Sequence, residues 1–228
     1  MVDIHTHVIP FVDDGSSSLQ DSLEMIKKEV SLGINTIVAT PHHIKNHYEC
    51  SVEQIKENFN LLKEKVKEEN IPVNLLLGQE IYYRTSDKII EKLNNHELLT
   101  LDETNLVLLE FSFVKEPEDI LEIMYNFKCN NYEVILAHVE RYEWMTFELV
   151  KTLKEYGVYI QVNANSVIGV NEGKHKKKFV KKLLKHQLVD IVASDVHSFR
   201  ESNMDKAYNK LHNDNLFNGL NKFNKVKV

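Results

Sequence analysis

Seven short, nearly continuous apolar runs constrain this chain more than any other feature. They span residues 2–8, 36–40, 74–81, 106–113, 134–139, 159–162 and 189–194. They are β-branched and do not alternate with polar residues, the pattern of strands buried on both faces of a parallel sheet. Amphipathic stretches separate them. Residues 18–31 carry Leu19, Leu23, Ile26 and Val30 on one helical face, with Gly33 as a C-terminal stop. Residues 51–69 repeat the pattern with Val52, Ile55, Phe59, Leu62 and Val66, Ser51 as N-cap and Pro72 beyond the end. Residues 117–127, 146–156 and 174–186 continue the series. Strand–helix alternation repeated about seven times predicts an α/β fold.

The chain has 228 residues, 43% of them hydrophobic, enough for one sizeable core without a disulfide or structural metal. A single domain over 1–228 is the expectation. The net charge of −6 argues against a general nucleic-acid binder. Cys50 and Cys129 make no disulfide framework. No apolar run approaches the roughly 20 residues of a membrane span, and residues 1–5 lack a signal-peptide pattern. These features predict a cytoplasmic enzyme with no stable membrane insertion.

Reactive side chains fall at the ends of the apolar runs. The first ends in His5-Thr6-His7, the second in Pro41-His42-His43, and the third in Gln79-Glu80. The fourth ends in Leu109-Glu110, the fifth in Ala137-His138-Val139-Glu140-Arg141, and the seventh in Ser194-Asp195-Val196-His197. The sixth ends in Gln161-Val162-Asn163, polar but without an obvious ligand. A barrel brings such ends to one mouth, whereas an open sheet would spread them along a line. His5 and His7, two residues apart on a strand, face one way and can grip one cation. Asp195 and His197 repeat that geometry on the last strand, beside the first in a closed barrel. Glu80 and Glu110 add carboxylates that can bridge cations, and His42 and His138 add nitrogen donors. A lone histidine at a strand end is most often an ordinary hydrogen-bonded residue. Six decorated ends at once, and an ionisable Glu110 inside Leu-Val-Leu-Leu-Glu-Phe, need a common partner. Imidazole and carboxylate without thiolate suit manganese, iron or catalytic zinc.

With these residues in hand, the chain resembles the polymerase-and-histidinol-phosphatase (PHP) family over essentially its whole length. Within it, the chain is most similar to the manganese-dependent protein tyrosine phosphatases of bacterial capsule and exopolysaccharide loci. The matching stretches are Asp3-Ile4-His5-Thr6-His7, Val12-Asp13-Asp14-Gly15, Thr40-Pro41-His42, Gly78-Gln79-Glu80-Ile81-Tyr82-Tyr83, Leu109-Glu110-Phe111-Ser112, Ala137-His138-Val139-Glu140-Arg141-Tyr142, Gln161-Val162-Asn163 and Ala193-Ser194-Asp195-Val196-His197. The H-x-H and D-x-H motifs mark the superfamily, and the E-I-Y-Y, L-E-F-S and A-H-x-E-R-Y blocks mark the capsule branch.

The resemblance implies a distorted TIM-like (β/α)7 barrel, the PHP fold, with a three-metal cluster. Manganese is the foremost ion, with iron, zinc or magnesium as alternatives. The implied ligands are His5, His7, His42, Glu80, Glu110, His138, Asp195 and His197. Arg141 matches the arginine that holds the phosphate, and Arg200 is the candidate for a second one after D-x-H. Ser16 stands where the family commonly has Pro after D-D-G, which is expected to loosen that loop. The implied reaction is phosphomonoester hydrolysis, with a metal-bridged hydroxide attacking phosphorus in line while the metals and Arg141 neutralise its oxygens. Asp14, on the loop after the first strand, either holds a histidine or acts as an acid. The implied substrate is a phosphotyrosine protein, a membrane-associated tyrosine autokinase with a phosphorylated tail. A histidinol-phosphate phosphatase is the alternative.

A cysteine-dependent phosphatase needs Arg six residues after its nucleophile. Lys56 and Ile135 occupy those positions after Cys50 and Cys129, so that chemistry is excluded. Tyr82-Tyr83-Arg84 either shapes the mouth or packs. Lys174, Lys176, Lys177, Lys178, Lys181 and Lys182 form the one basic cluster. It is either a solvated helix face or a docking face for an acidic tail or anionic lipid. The helix over 18–31 offers a surface for a homo-oligomer.

Overall fold

All seven apolar runs become strand, but the third breaks in the middle and the second is followed, past a break, by a further short strand. A computed structural model describes residues 1–170, 173–214 and 216, with only the backbone of Lys174. The strands are β1 (Val2–Thr6), β2 (Thr36–Ala39), β3 (His42–His43), β4 (Asn74–Leu77), β5 (Glu80–Tyr82), β6 (Leu106–Glu110), β7 (Glu133–Leu136), β8 (Tyr159–Asn163) and β9 (Ile191–Ala193). The second run forms β2 and stops at Thr40; past Pro41, which has no N–H to offer a ladder, the chain resumes as β3. The third is β4 followed by β5, interrupted at Gly78-Gln79. A Cβ on Gly78 would lie 2.5 Å from Leu101 Cδ2, so the glycine lets the broken strand pass under that side chain.

Every strand pair is parallel. One sheet runs β1-β2-β4 and the other β3-β5-β6-β7-β8-β9. The two are continuous through the broken strands and curl back on themselves. A bridge between Thr6 and Val196 brings the last strand to the first. There the Asp195 N–H donates to the His5 carbonyl at 2.9 Å, and the His7 N–H to the Val196 carbonyl at 3.0 Å. The expected seven-strand ring is present, distorted by the two breaks.

Helices α1 (Leu19–Ser31), α2 (Val52–Glu68), α3 (Ile89–Asn94), α4 (Ile120–Cys129), α5 (Phe147–Glu155), α6 (Ala164–Ile168), α7 (Lys174–Lys185) and α8 (Met204–Asn213) lie in the connections. Ser51 caps α2 by accepting from the Gln54 N–H, and the five apolar residues expected inward are buried. Helix α1 is turned slightly from expectation. It buries Ser22, Leu23, Met25, Ile26 and Glu29, leaving Leu19 and Val30 half-buried. Glu29 accepts a hydrogen bond from the Ser202 hydroxyl at 3.0 Å, which explains a carboxylate facing inward. Helix α4 starts three residues later than expected, after an Asp119 cap. Helices α3, α6 and α8 were not expected.

The core has two parts. Ile4, Val38, Leu106, Leu108, Ile135 and Ile191 belong to a plug inside the barrel, and a larger cluster packs the helices around it. The plug fills one end of the barrel. The other end, where the strands terminate, is polar.

Candidate metal centre

The strand ends converge on Glu80. This residue sits at the start of β5, directly after the break, and is fully buried. Its Oε2 lies 3.2 Å from His5 Nε2, 3.4 Å from His7 Nε2 and 2.9 Å from His42 Nδ1. Its Oε1 lies 2.9 Å from His138 Nε2, and Glu110 Oε1 lies 3.6 Å from that nitrogen. Asp195 Oδ1 faces His5, His7 and His197 at 3.5 to 3.6 Å. Asp14 Oδ1 lies 3.6 Å from His42 Nε2 and 3.7 Å from His197 Nε2. All eight expected ligand residues are thus brought together, and Asp14 joins them. His138 and Asp195 have φ of +29° and +52°. Non-glycine residues held there are strained, and such strain collects at functional sites.

Four overlapping groups have donor atoms within 4.8 Å of one another: His7, Asp14, His42 and His197; His5, Glu80 and His138; His5, His7 and Asp195; and His42, Glu80 and Glu110. The donor set fits divalent cations on two further observations. Glu80 Oε2 and His42 Nδ1 are buried and close, yet not aligned as a hydrogen bond. The Nε2 atoms of His5 and His7 meet at 3.3 Å. Nitrogens that converge in this way on carboxylate oxygens need positive charge between them. The outer ring nitrogens are held from behind: His7 Nδ1 lies 2.7 Å from Asp13 Oδ2, and His5 Nδ1 lies 3.3 Å from Gln161 Oε1. Metal-binding histidines are oriented in this manner, the far N–H donating so that the near nitrogen points inward.

Electrostatics report the same demand for cations. Burial alone would raise Glu80, but His5 and His42 hold it well below the usual carboxylate range. Burial likewise opposes Asp195, which hydrogen bonding from His7 and the charge of His5 keep low. Glu110 has less compensation, and burial with repulsion from Glu80 pushes it up to about 9. His138 is pushed down to about 4 by burial, against the pull of Glu80.

Sequence reasoning passed over four residues. Asp13, not Asp14, holds His7, and it also accepts from the backbone N–H of His42 and Gly15. Gln161 accepts from the His138 N–H at 2.7 Å, and Asn163 donates to Asp195 at 2.9 Å. Both belong to the sixth run, whose polar end was the available signal. Gly15 passes so close to His7 that a Cβ would lie 2.1 Å from its carbonyl oxygen. Ser16 does not loosen this loop. It is buried, donates to the Ser18 carbonyl at 2.8 Å and accepts from Ser22 at 2.7 Å.

Two arginines rim the cluster. Arg141 follows His138 in a one-turn 3₁₀ helix (Val139–Arg141), donates from Nη1 to Asp195 Oδ2 at 3.1 Å, and lies 4.2 Å from the Phe113 ring centroid. Arg200 donates from Nη1 to the same oxygen and to the Asp195 carbonyl. Each is only about a quarter exposed. Tyr83 packs against Phe111 and Phe127, while Arg84 lies over Tyr82. Cys50 donates to the Val12 carbonyl, and burial pushes its thiol pKa up, the opposite of a nucleophilic cysteine.

The family model for capsular polysaccharide synthesis, CpsB/CapC, matches residues 1–216. The chain belongs to the CpsB/CapC family. Tyrosine-protein phosphatase YwqE of Bacillus subtilis is 34% identical over 205 residues, covering 89% of this chain and 80% of its own length. Tyrosine-protein phosphatase CpsB of Streptococcus pneumoniae is 35% identical over 216 residues, covering 91% and 88%. A solved structure from work on YwqE and CpsB, called unique metal-dependent tyrosine phosphatases, matches this CpsB/CapC member with a TM-score of 0.87. It shares 32% identity and covers 94% of this chain and 87% of that one. Histidinol phosphate phosphatase of Lactococcus lactis matches with a TM-score of 0.62 at 13% identity, a likeness of fold alone. Among the described residues, no helix is long and apolar enough to cross a membrane.

Proposed function

We propose that this chain, acting as one domain over 1–228, is a metal-dependent protein tyrosine phosphatase. Its substrate would be the phosphorylated tail of a membrane-associated tyrosine autokinase, in the cytoplasm, in control of capsule or exopolysaccharide production. The observation that carries this reading is the placement of Arg141 and Arg200 on Asp195, beside five histidines and the carboxylates of Glu80 and Glu110. Cations and guanidinium groups together suit a phosphate dianion. The relatives named tyrosine-protein phosphatases support the substrate class.

We assign His5, His7, His42, Glu80, Glu110, His138, Asp195 and His197 to a three-ion cluster, with manganese foremost and iron, zinc or magnesium as alternatives. Bound there, divalent ions polarise phosphate oxygens and acidify a water enough to serve as nucleophile near neutral pH. Arg141 and Arg200 each reach Asp195 through Nη1, and the rest of each planar fork is suited to the non-bridging oxygens of phosphate. Phenolate, with a pKa of about 10, leaves with less protonation than an alkoxide. Asp14 matches that requirement. The close approach of His197, at 3.7 Å, pulls its pKa down to about 2, so it serves as an ionised brace for His197 and His42 rather than an acid.

The test is a paired assay on metal-stripped protein with manganese restored. Expected are manganese-dependent turnover of a phosphotyrosine peptide, insensitivity to vanadate at levels that block cysteine phosphatases, and slow turnover of histidinol phosphate. Preference for histidinol phosphate would keep the metal centre and overturn the substrate assignment. Iron, zinc and magnesium in place of manganese rank the ions.

A further inference from the structure

Helix α7 is the most one-sidedly charged segment of the described chain. Seven of its twelve residues are Lys and none is acidic, on a protein of net charge −6. Its apolar side is used up in the core: Val180, Leu183 and Leu184 are buried. Lys178, Lys181 and Lys185 recur at helical spacing on the opposite, exposed side, flanked by the exposed Lys177 and Lys182. Among the described residues none of these five amines is in an ion pair; Lys182 instead lies 3.7 Å from the Phe147 ring centroid. Like charges four apart destabilise a helix. A polyanion laid along this face would relieve that repulsion.

The helix is also well placed. It packs against the turn Val139–Arg141, so α7 is a neighbour of the element that carries the arginine assigned to phosphate. Lys177 lies over Gly169, where α6 ends after leaving the carboxyl end of β8.

We infer that the exposed face of α7 docks an acidic segment flanking the phosphotyrosine of the substrate protein, an inference that rests on the function proposed above. An anionic membrane is the poorer fit. Interfacial helices insert an apolar face, and the apolar face of α7 points into the core.

The test compares the full-length wild type with Lys178→Glu/Lys181→Glu/Lys185→Glu and with the milder Gln triple variant. The substrates are p-nitrophenyl phosphate, a phosphotyrosine peptide flanked by a run of Glu, and the same peptide with Gln in that run. At low salt the wild type should favour the Glu-flanked peptide about tenfold in kcat/KM, mostly through KM, and added NaCl should erase the preference. The Glu variant should lose it, the Gln variant should lose part of it, and both should hydrolyse p-nitrophenyl phosphate like the wild type, which also reports folding. Equal kcat/KM for the two peptides in the wild type, or an undiminished preference in the Glu variant, overturns the inference. Sedimentation with phosphatidylglycerol vesicles that is lost in the variant, without peptide discrimination, would give the face to the membrane instead. If no phosphate ester is hydrolysed, the proposed function fails separately. Fluorescence anisotropy of the unphosphorylated Glu-flanked peptide then reads docking alone, and unchanged binding in the Glu variant overturns it.

Discussion

The two ends of the same strands make opposite use of burial. Along β6, Leu106 and Leu108 point into the plug and Glu110 ends the strand in the metal centre. Ile135 in β7 gives way to His138, and Ile191 in β9 to Asp195. At the plug end, removal from water is itself the stabilising force, about 25 cal/mol for each Å² of apolar surface. At the mouth the same removal works against the fold. Glu80 and Asp195 there depend on their histidine neighbours to stay charged, and Glu110, with less compensation, is pushed up to about 9. Stability and chemistry are therefore separable along a single strand, and substitutions at the two ends should fail in different ways.

The sharpest contrast comes from His138→Ala. It removes a nitrogen from the group of His5, Glu80 and His138. Turnover of a phosphotyrosine peptide should fall by about a thousandfold or more, and bound metal measured by elemental analysis should drop with it. The unfolding midpoint of the metal-free protein should move little. Full activity with full metal content would remove His138 from the centre. Leu108→Ala, two residues below Glu110 on β6, should invert this outcome. It deletes a fully buried plug side chain and should cost about 2–5 kcal/mol of stability in urea unfolding, while turnover per folded molecule stays within about threefold. A matching loss of activity at low temperature, with the protein still folded, would mean that the two ends are coupled.

Asp13→Ala probes the support of the mouth rather than its ligands. The carboxylate holds His7 at 2.7 Å and takes the backbone N–H groups of Gly15 and His42. Losing such an orienting partner typically lowers metal affinity or activity by about 10–100-fold. Titrating manganese into metal-free protein measures it. Excess manganese should recover part of the activity, whereas His138→Ala should stay inactive at any concentration.

Much of this contrast could be read in the sequence, because it follows period and position. Continuous apolar runs gave the strands, and charged residues at their ends gave the mouth. What escaped depends on tertiary contact. Asp13 and Asp14 are neighbours in a loop, where no periodicity distinguishes the one that meets His7 from the one that meets His197. Gln161 and Asn163 matter only because ring closure sets β8 beside β9 and brings β1 within reach. Gly78 was visible inside its run and Pro41 just past the end of its own, but a break in the ladder needs both lying side by side. The spacing of Met204, Ala207 and Leu211 held a signal for α8 that followed the last motif. Glu29 was the hardest. It occupies an inward position of α1 that the apolar pattern assigns elsewhere, and only Ser202, far along the chain, accounts for it.

Glu29 also offers the finest test of the comparison, since it is a buried carboxylate without the histidines that surround Glu80. Burial, with the negative charge of Asp3 nearby, pushes its pKa up from 4.5 to about 8. The folded state therefore holds a proton that the unfolded chain releases above about pH 4.5, so the unfolded state binds fewer protons through that window. Stability from this group is fully present below about pH 4.5 and is lost as pH rises through about 8. The limiting slope for one proton is about 1.4 kcal/mol per pH unit. Glu29→Gln keeps an oxygen to accept from Ser202 but cannot ionise. Subtracting its unfolding free energy from that of the wild type at each pH cancels the titrations of the metal centre, which both proteins share. The variant should match the wild type near pH 5 and exceed it progressively toward pH 8. Parallel pH profiles would mean that Glu29 is as well compensated as Glu80, and that burial without histidine neighbours is not enough to raise a carboxylate here.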